Sequence, residues 1–88
     1  MAIVIGEPNT LPHIDGIFAF LSKDDKGNEG LCAFQYKPGH WLPLVAADEK
    51  RLASLMPVAQ EIARHSEHDV VLVKFSTREE VKVFTKGV

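Results

Sequence analysis

The chain has little of what marks secreted and membrane-spanning proteins. It contains a single cysteine, Cys32, among 88 residues, so it cannot form the internal disulfides that staple small secreted folds. No apolar stretch approaches the roughly 20 residues that span a bilayer, and no basic segment followed by an apolar one opens the sequence. We therefore expect a cytoplasmic protein.

Charge of one sign is also scarce. The formal net charge is -2, and no run of like charge exceeds two residues. Nucleic-acid and anionic membrane surfaces are bound by clustered Lys and Arg, which are absent here. The sequence therefore predicts neither a nucleic-acid nor a membrane partner. Its length and balanced composition predict one small globular domain over 1–88, with 1–15 as a loosely ordered arm or a short strand.

Recognisable catalytic patterns are missing as well. There is no nucleophile elbow and no phosphate-binding glycine loop. Cys32 lies within a predicted strand among aromatic residues, where a thiol usually packs as a small apolar side chain. We expect no cofactor, and the sequence favours a non-enzymatic protein.

His65 and His68 have the spacing closest to that of a metal site. Two histidines three residues apart near a helix end could bind Zn, Ni or Cu, with His13 or His40 recruited from loops. Without a third ligand at a recognised spacing, they do not define a metal site. The alternative is that His65 interacts with the helix dipole while His68 lies in a solvated turn.

The densest group of polar side chains, LSKDDKGNEGL at residues 21–31, raises the question of a calcium loop. Its spacing fails the calcium template, because the twelfth place counted from Asp24 or Asp25 holds no glutamate. Asp24 at the first position of a turn and Gly27 at the fourth are typical of a hairpin turn. The segment therefore predicts a hairpin in which Leu21 faces Leu31 and Phe18 faces Phe34.

The remaining pattern predicts an α+β fold. A single, mainly antiparallel sheet of four to five strands is expected to pack on one helix over 48–65, which Asp48 caps and Pro57 kinks. The segment 76–85 is ambiguous, because Ser76 and Glu79 fit a helix capping box whereas EVKVFT alternates as a strand does; we favour the strand. The predicted strands are the hairpin 16–36, a third strand 40–46 with Pro43 at an edge or bulge, a central strand 70–75 and a last strand 80–85.

One helix can cover only one face of this sheet. The hairpin register places Phe18, Phe20, Cys32 and Phe34 on one side and Ile17, Ala19, Leu21, Leu31 and Ala33 on the other. The second side, with alternate residues of 70–75, would leave a large apolar patch exposed. It could be covered by the N-terminal segment, by the C-terminal segment or by a second copy. Because two-fold dimers are the commonest closed assembly, we expect a homodimer through this face.

A ligand or partner site, if present, is expected around the turn and strand at His40 and Trp41. Trp41 offers a large amphipathic contact area, although the usual burial of tryptophan favours a position that closes the core under the helix. The leading interpretation is a small homodimeric binding or regulatory protein, with a protein or small-molecule partner. The alternative is a ligand-binding or enzymatic dimer with a pocket between the sheet and the kinked helix, lined by Phe18, Phe34, Trp41 and Met56.

Overall fold

The computed structural model describes residues 6–11 and 13–87. After a single 3-10 turn at Pro8–Thr10, the chain forms one long helix and six strands. The short strand that is one alternative for 1–15 would use the β-branched residues 3–5, which lie outside the described residues. The elements are β1 (Ile17–Lys23), β2 (Glu29–Leu31), β3 (Ala33–Lys37), β4 (His40–Pro43), β5 (Val45–Ala46), α1 (Glu49–His65) and β6 (Asp69–Phe75).

The strand β1 forms the centre of a four-stranded antiparallel sheet. Along one edge it pairs with β6 over its whole length, from Ile17 opposite Phe75 to Lys23 opposite Asp69. Along its other edge it pairs first with β5 and then with β2. The predicted α+β class and antiparallel sheet are therefore confirmed, whereas the predicted central position of 70–75 is wrong. The apolar run in this segment gave no information about its neighbours, and in the structure it forms an edge strand.

The turn between β1 and β2 is the predicted hairpin turn. The amide of Gly27 donates to the Asp24 carbonyl at 3.2 Å, and the Asp24 amide donates to the Asn28 carbonyl at 3.0 Å. Gly27 has a φ of +87°, the left-handed conformation that this turn requires. The predicted pairing of Leu21 with Leu31 is confirmed, and Lys23 pairs with Glu29 in the same register.

Contrary to the prediction, the hairpin of β1 and β2 ends at Leu31. At Phe20, the strand that pairs with this edge of β1 changes from β2 to β5. The Phe20 amide donates to the Leu44 carbonyl, and the Cys32 amide donates to the Phe20 carbonyl. Leu44 in turn donates to the Cys32 carbonyl at 2.8 Å, which closes the base of a separate β3–β4 hairpin. Phe18 consequently faces Ala46, and its predicted pairing with Phe34 is wrong.

The predicted third strand over 40–46 is divided at Leu44 into β4 and β5. Pro43 lies opposite Ala33 at the end of β4, which is compatible with its missing donor. The interruption allows Leu44 to lie at the three-way junction, where its side chain is fully buried.

The helix α1 covers one side of the sheet and contacts β5 and β6. Asp48 caps it as predicted, since its carboxylate accepts a hydrogen bond from the Arg51 amide at 2.7 Å. Pro57 lies inside a continuous helical segment, and the bend there remains a prediction. No helix within 6–11 and 13–87 is long and apolar enough to cross a membrane. The core beneath the helix consists of Phe20, Cys32, Leu44, Ala46, Leu55 and Ala59.

Residues 76–85 belong to neither a helix nor a strand. The predicted last strand at 80–85 is therefore absent from the single chain, and so is the alternative helix. Alternation of apolar residues gives a segment a strand pattern, but a strand also needs an edge to pair with, which this pattern cannot reveal.

Candidate functional site

The side of the sheet opposite the helix is an apolar surface, which we call the open face. Its rows follow the strand register: Leu31, Leu21 and Val71 form one row, and Val45, Ala19 and Val73 the next. Ile17 and Phe75 form a third row at the end where β6 finishes. The open face thus comprises Ile17, Ala19, Leu21, Leu31, Val45, Val71, Val73 and Phe75.

The large side chains of the open face remain accessible. Phe75 is 58% exposed, Leu31 51% and Ile17 40%. Only Ala19, flanked by Val45 and Val73, is buried, because the larger neighbours stand on either side of it. This arrangement matches the predicted apolar side of the hairpin, except that Ala33 has moved into the β3–β4 hairpin.

A charged row borders the open face near the β1–β2 turn. Glu29, Lys23 and Asp69 stand side by side across three strands. The adjoining surface depression, about 510 Å³, is lined by these last two residues and by Asp24, Asp25, Glu67, His68 and Val71. Acidic and basic side chains therefore form a row at one end of the open face, next to the row of Leu31, Leu21 and Val71.

The Asp24 carboxylate, which lines this depression, makes its hydrogen bonds within the β1–β2 turn. It accepts from the amides of Lys26 and Asn28 and from the Asn28 side chain, at distances of 2.8 to 2.9 Å. The hydrogen bonds from Asn28, its side chain first, lower the pKa of Asp24, with a smaller contribution from the Lys26 amide. The chemistry of this loop is that of a hairpin turn.

A second feature is a shallow cleft between α1 and β6, on the helix side of the sheet. Its volume of about 180 Å³ is smaller than the roughly 300 to 1,000 Å³ of typical small-molecule sites. The lining is mostly apolar. Because β6 is an edge strand, the cleft is open along one side, where Leu72 and Met56 are both exposed. The cleft is lined by Phe20, Met56, Ala59, Gln60, Ala63, Val70 and Leu72.

The structure distributes the predicted ligand-binding residues over several places. Met56 borders the cleft beside β6, whereas Phe18 borders a different depression near Asp48 and Lys74. Phe34 packs against the core from the β3–β4 hairpin. His40 and Trp41 lie in β4, where the His40 ring contacts Tyr36 with 5.7 Å between ring centroids. Trp41 is 62% exposed, so the expectation that it closes the core under the helix is wrong.

The histidines near the helix end have separate environments. His65 lies within 2.8 Å of the Glu61 carboxylate, one turn earlier on α1, while His68 borders the charged depression. Within the part of the chain that the structure describes, no three His, Cys, Asp or Glu side chains are placed to hold a metal ion.

Cys32 lies in the core beside Phe20 and Leu44, as its position in the sequence predicted. Burial raises the pKa of the Cys32 thiol. A thiol that holds its proton near neutral pH is a poor nucleophile, so this residue is suited to packing.

Most of the open face was predicted from the sequence, because the alternation of apolar residues in β1 and β2 is a local signal. The cleft was expected in another form, with Phe18, Phe34 and Trp41 in its lining. What the sequence did not indicate is that β6, with its accessible Leu72, lies at the edge. Comparison with protein-family models, curated proteins and solved structures found no match to this chain.

Proposed function

We propose that this chain is a small non-enzymatic binding or regulatory protein that acts as a homodimer, with the open face as the dimer interface. The observation that carries the proposal is a sheet with α1 on one side and exposed Ile17, Leu31, Val71 and Phe75 on the other. Contiguous apolar patches of this kind mark interaction surfaces on soluble proteins. The non-enzymatic part rests on the sequence, in which we recognise no catalytic pattern.

The exposed surface of the chain supports a partner of substantial size. The accessible surface is 7868 Å² for a 9.8 kDa chain. A compact monomer of this mass exposes about 5,200 Å². The excess of roughly 2,700 Å² includes the exposed residues 76–87 as well as the open face, and it is more than the ~800 Å² that each partner contributes to a standard interface.

A second copy of the chain fits the chemistry of this face. A two-fold interface joins one patch to itself, which suits a surface whose rows are aliphatic or aromatic throughout. The charged row at its end holds both signs, Glu29 and Asp69 with Lys23 between them, so it can pair with its own symmetry mate. Packing two such faces would remove the large apolar side chains from water.

Leu31→Glu, with Tyr36→Glu as its matched control, tests the proposed interface. Leu31 and Tyr36 have nearly equal exposures of 51% and 52%, but only Leu31 belongs to the open face. Size-exclusion chromatography with light scattering should give twice the 9.8 kDa chain mass for the original chain and for Tyr36→Glu. Leu31→Glu should run as a monomer at micromolar concentration, because the interface would bury an unpaired carboxylate.

Circular dichroism of the three proteins serves as the folding control, since both substituted side chains are accessible. A monomer for the original chain at every concentration would refute the homodimer. A dimer that persists in Leu31→Glu would instead place the interface on another surface.

A further inference from the structure

The edge strand β6 has one side without a partner among the described residues. Its inner side pairs with β1 along all seven residues. Its outer side exposes backbone groups along DVVLVKF, which contains no proline and has charges only at Asp69 and Lys74. A long apolar edge of this kind is a template for another strand.

The segment that follows β6, residues 76–87, is here called the arm. It lies outside any helix or strand through 85, yet EVKVFT alternates as a strand does. Its large apolar side chains are more exposed than any other large apolar side chain among the described residues: Val81 is 90%, Val83 72% and Phe84 85% accessible. The radius of gyration of the chain, 16.4 Å, exceeds the roughly 12 Å of a compact domain of this length.

We propose that residues 80–85 of one copy add as an antiparallel strand to the free edge of β6 in a second copy, and that the two copies exchange their arms reciprocally. This inference rests on the proposed homodimer and identifies the segment that each copy contributes to it. It places the predicted strand at 80–85 on an edge that the partner supplies.

The side-chain pattern selects one register. With Glu80 opposite Lys74, Val81 falls opposite Val73 and Val83 opposite Val71. These valines lengthen two rows of the open face, which then run from Leu31 or Val45 across β1 and β6 to the arm. A shift of one residue would put Lys82 into these rows, because side chains alternate between the two faces of a strand.

The opposite side of the arm matches the cleft. In the same register Phe84 falls opposite Val70, which lines the cleft between β6 and α1. An aromatic ring placed there would cover Ala63 and Leu72 from the open side of the cleft. Val81 and Val83 on one side of the arm and Phe84 on the other therefore meet apolar surface that the single chain leaves exposed, while Lys82 falls opposite Leu72.

The charges agree with this register. A shift of two residues in one direction places Lys82 opposite Lys74, and in the other it places Arg78 there. Like charges directly opposite each other destabilise a strand pair. In the single chain Glu80 contacts Arg78 at 3.2 Å, and an exposed pair of this kind offers little resistance to rearrangement.

The connection is long enough for exchange between packed copies. Sheets that stack face to face lie about 10 Å apart. From Phe75 to Glu80 the chain can span up to about 17 Å. Two open faces packed with their Phe75 ends close to the two-fold axis would bring each arm to the β6 edge of the other copy.

Disulfide trapping tests the exchange directly. In a Cys32→Ala background, one chain carries Val71→Cys with a mass tag and the other carries Val83→Cys, and the two are unfolded and refolded together in a glutathione buffer. Opposite positions in an antiparallel strand pair have Cα atoms about 4.5 to 5.5 Å apart, which is within the range that a disulfide can span. We expect a covalent heterodimer on a non-reducing gel.

The matched control replaces Val71→Cys with Phe75→Cys, which is also on the open face of β6. Position 75 is about 13 Å along the strand from the residue opposite Val83, too far for the bond. Equal trapping in the two mixtures would overturn the register.

The outcomes separate this inference from the homodimer. A dimer in light scattering without the 71–83 disulfide overturns arm exchange and leaves the dimer intact. A monomer in which Val71→Cys and Val83→Cys in one chain form an internal disulfide overturns both, since the arm would then fold back on its own β6. The interchain disulfide in a dimer supports both.

A charge exchange gives a second test on chains without new cysteines. Glu80→Lys should weaken dimerisation by about tenfold, because two symmetric attractive pairs become repulsive. Adding Lys74→Glu should restore it. Glu79→Lys, the same change of charge one residue earlier, should leave dimerisation within about twofold; an equal effect of Glu79→Lys and Glu80→Lys would contradict the proposed pairing.

Discussion

The β1–β2 turn requires a left-handed backbone conformation at Gly27. Its φ of +87° suits glycine, and a Cβ placed there would meet no atom within 4 Å. The effect of a side chain at this position is therefore one of backbone conformation alone. A left-handed conformation costs an L-residue about 1 to 2 kcal/mol, and a β-branched residue more.

Gly27→Val should thus lower the free energy of unfolding by about 2 kcal/mol and the melting temperature by roughly 10 °C. Gly30→Val is the matched control, because its Cβ would also meet nothing within 4 Å but its φ is not positive. Valine is favoured in a strand, so this control should leave stability unchanged or raise it. Equal losses in the two variants, measured by thermal melts followed with circular dichroism, would contradict the turn assignment.

At the scale of the element, the N-cap of α1 links the helix to the strand before it. Asp48 accepts from the Arg51 amide through its side chain and from the Leu52 amide through its carbonyl. Asp48→Ala should cost about 1 kcal/mol of unfolding free energy, since it leaves a helical amide without its acceptor. Asp48→Ser, which keeps an acceptor oxygen, should lose less. Urea titration would measure both, and equal losses would show that the hydrogen bond is not the cause.

The elements predicted from the sequence are those that local chemistry specifies. The turn from Asp24 to Gly27 contains its own hydrogen-bond partners, and α1 shows both a cap and an apolar stripe. The edge position of 70–75 depends instead on which strands lie beside it. The exit of β2 at Cys32 and the entry of β5 at Leu44 are likewise set by the burial of these two side chains against Phe20. Such contacts join distant parts of the chain and leave no periodic signal.

The open face and the cleft differ in the same way. Alternation within β1 and β2 predicted which residues share the open face, because the hairpin register follows from the turn. The cleft arises where α1 meets an edge strand, and its lining depends on the position of β6. Met56 was the one predicted pocket residue found there, since its place on the helix follows from the 3.6-residue period.

At the scale of the whole molecule, the single chain is thin relative to its length. Its principal extents are 50, 30 and 23 Å, and its central sheet is covered by a helix on one side. A folded core built from Phe20, Leu44 and Leu55 is small for a domain of this size. Burial of the open face in a dimer would add a second apolar layer, so folding and association should be coupled.

Coupled folding and association predicts that thermal stability depends on chain concentration. Mass action favours the dimer at high concentration. With an unfolding enthalpy of about 0.7 kcal/mol per residue, the melting temperature should rise by roughly 4 °C for each tenfold increase in concentration. Differential scanning calorimetry from about 5 to 500 μM measures this dependence in the original chain.

Leu31→Glu provides the internal comparison for this measurement, because it removes association without touching a buried side chain. Its melting temperature should be lower and should not vary with concentration. Glu80→Lys should show an intermediate result. Its melting temperature should still rise with chain concentration, but about tenfold more protein should be needed to reach the melting temperature of the original chain, because dimerisation is about tenfold weaker. A melting temperature of the original chain that stays constant over the whole range would mean that the core under α1 is sufficient by itself, and that the open face adds nothing to folding.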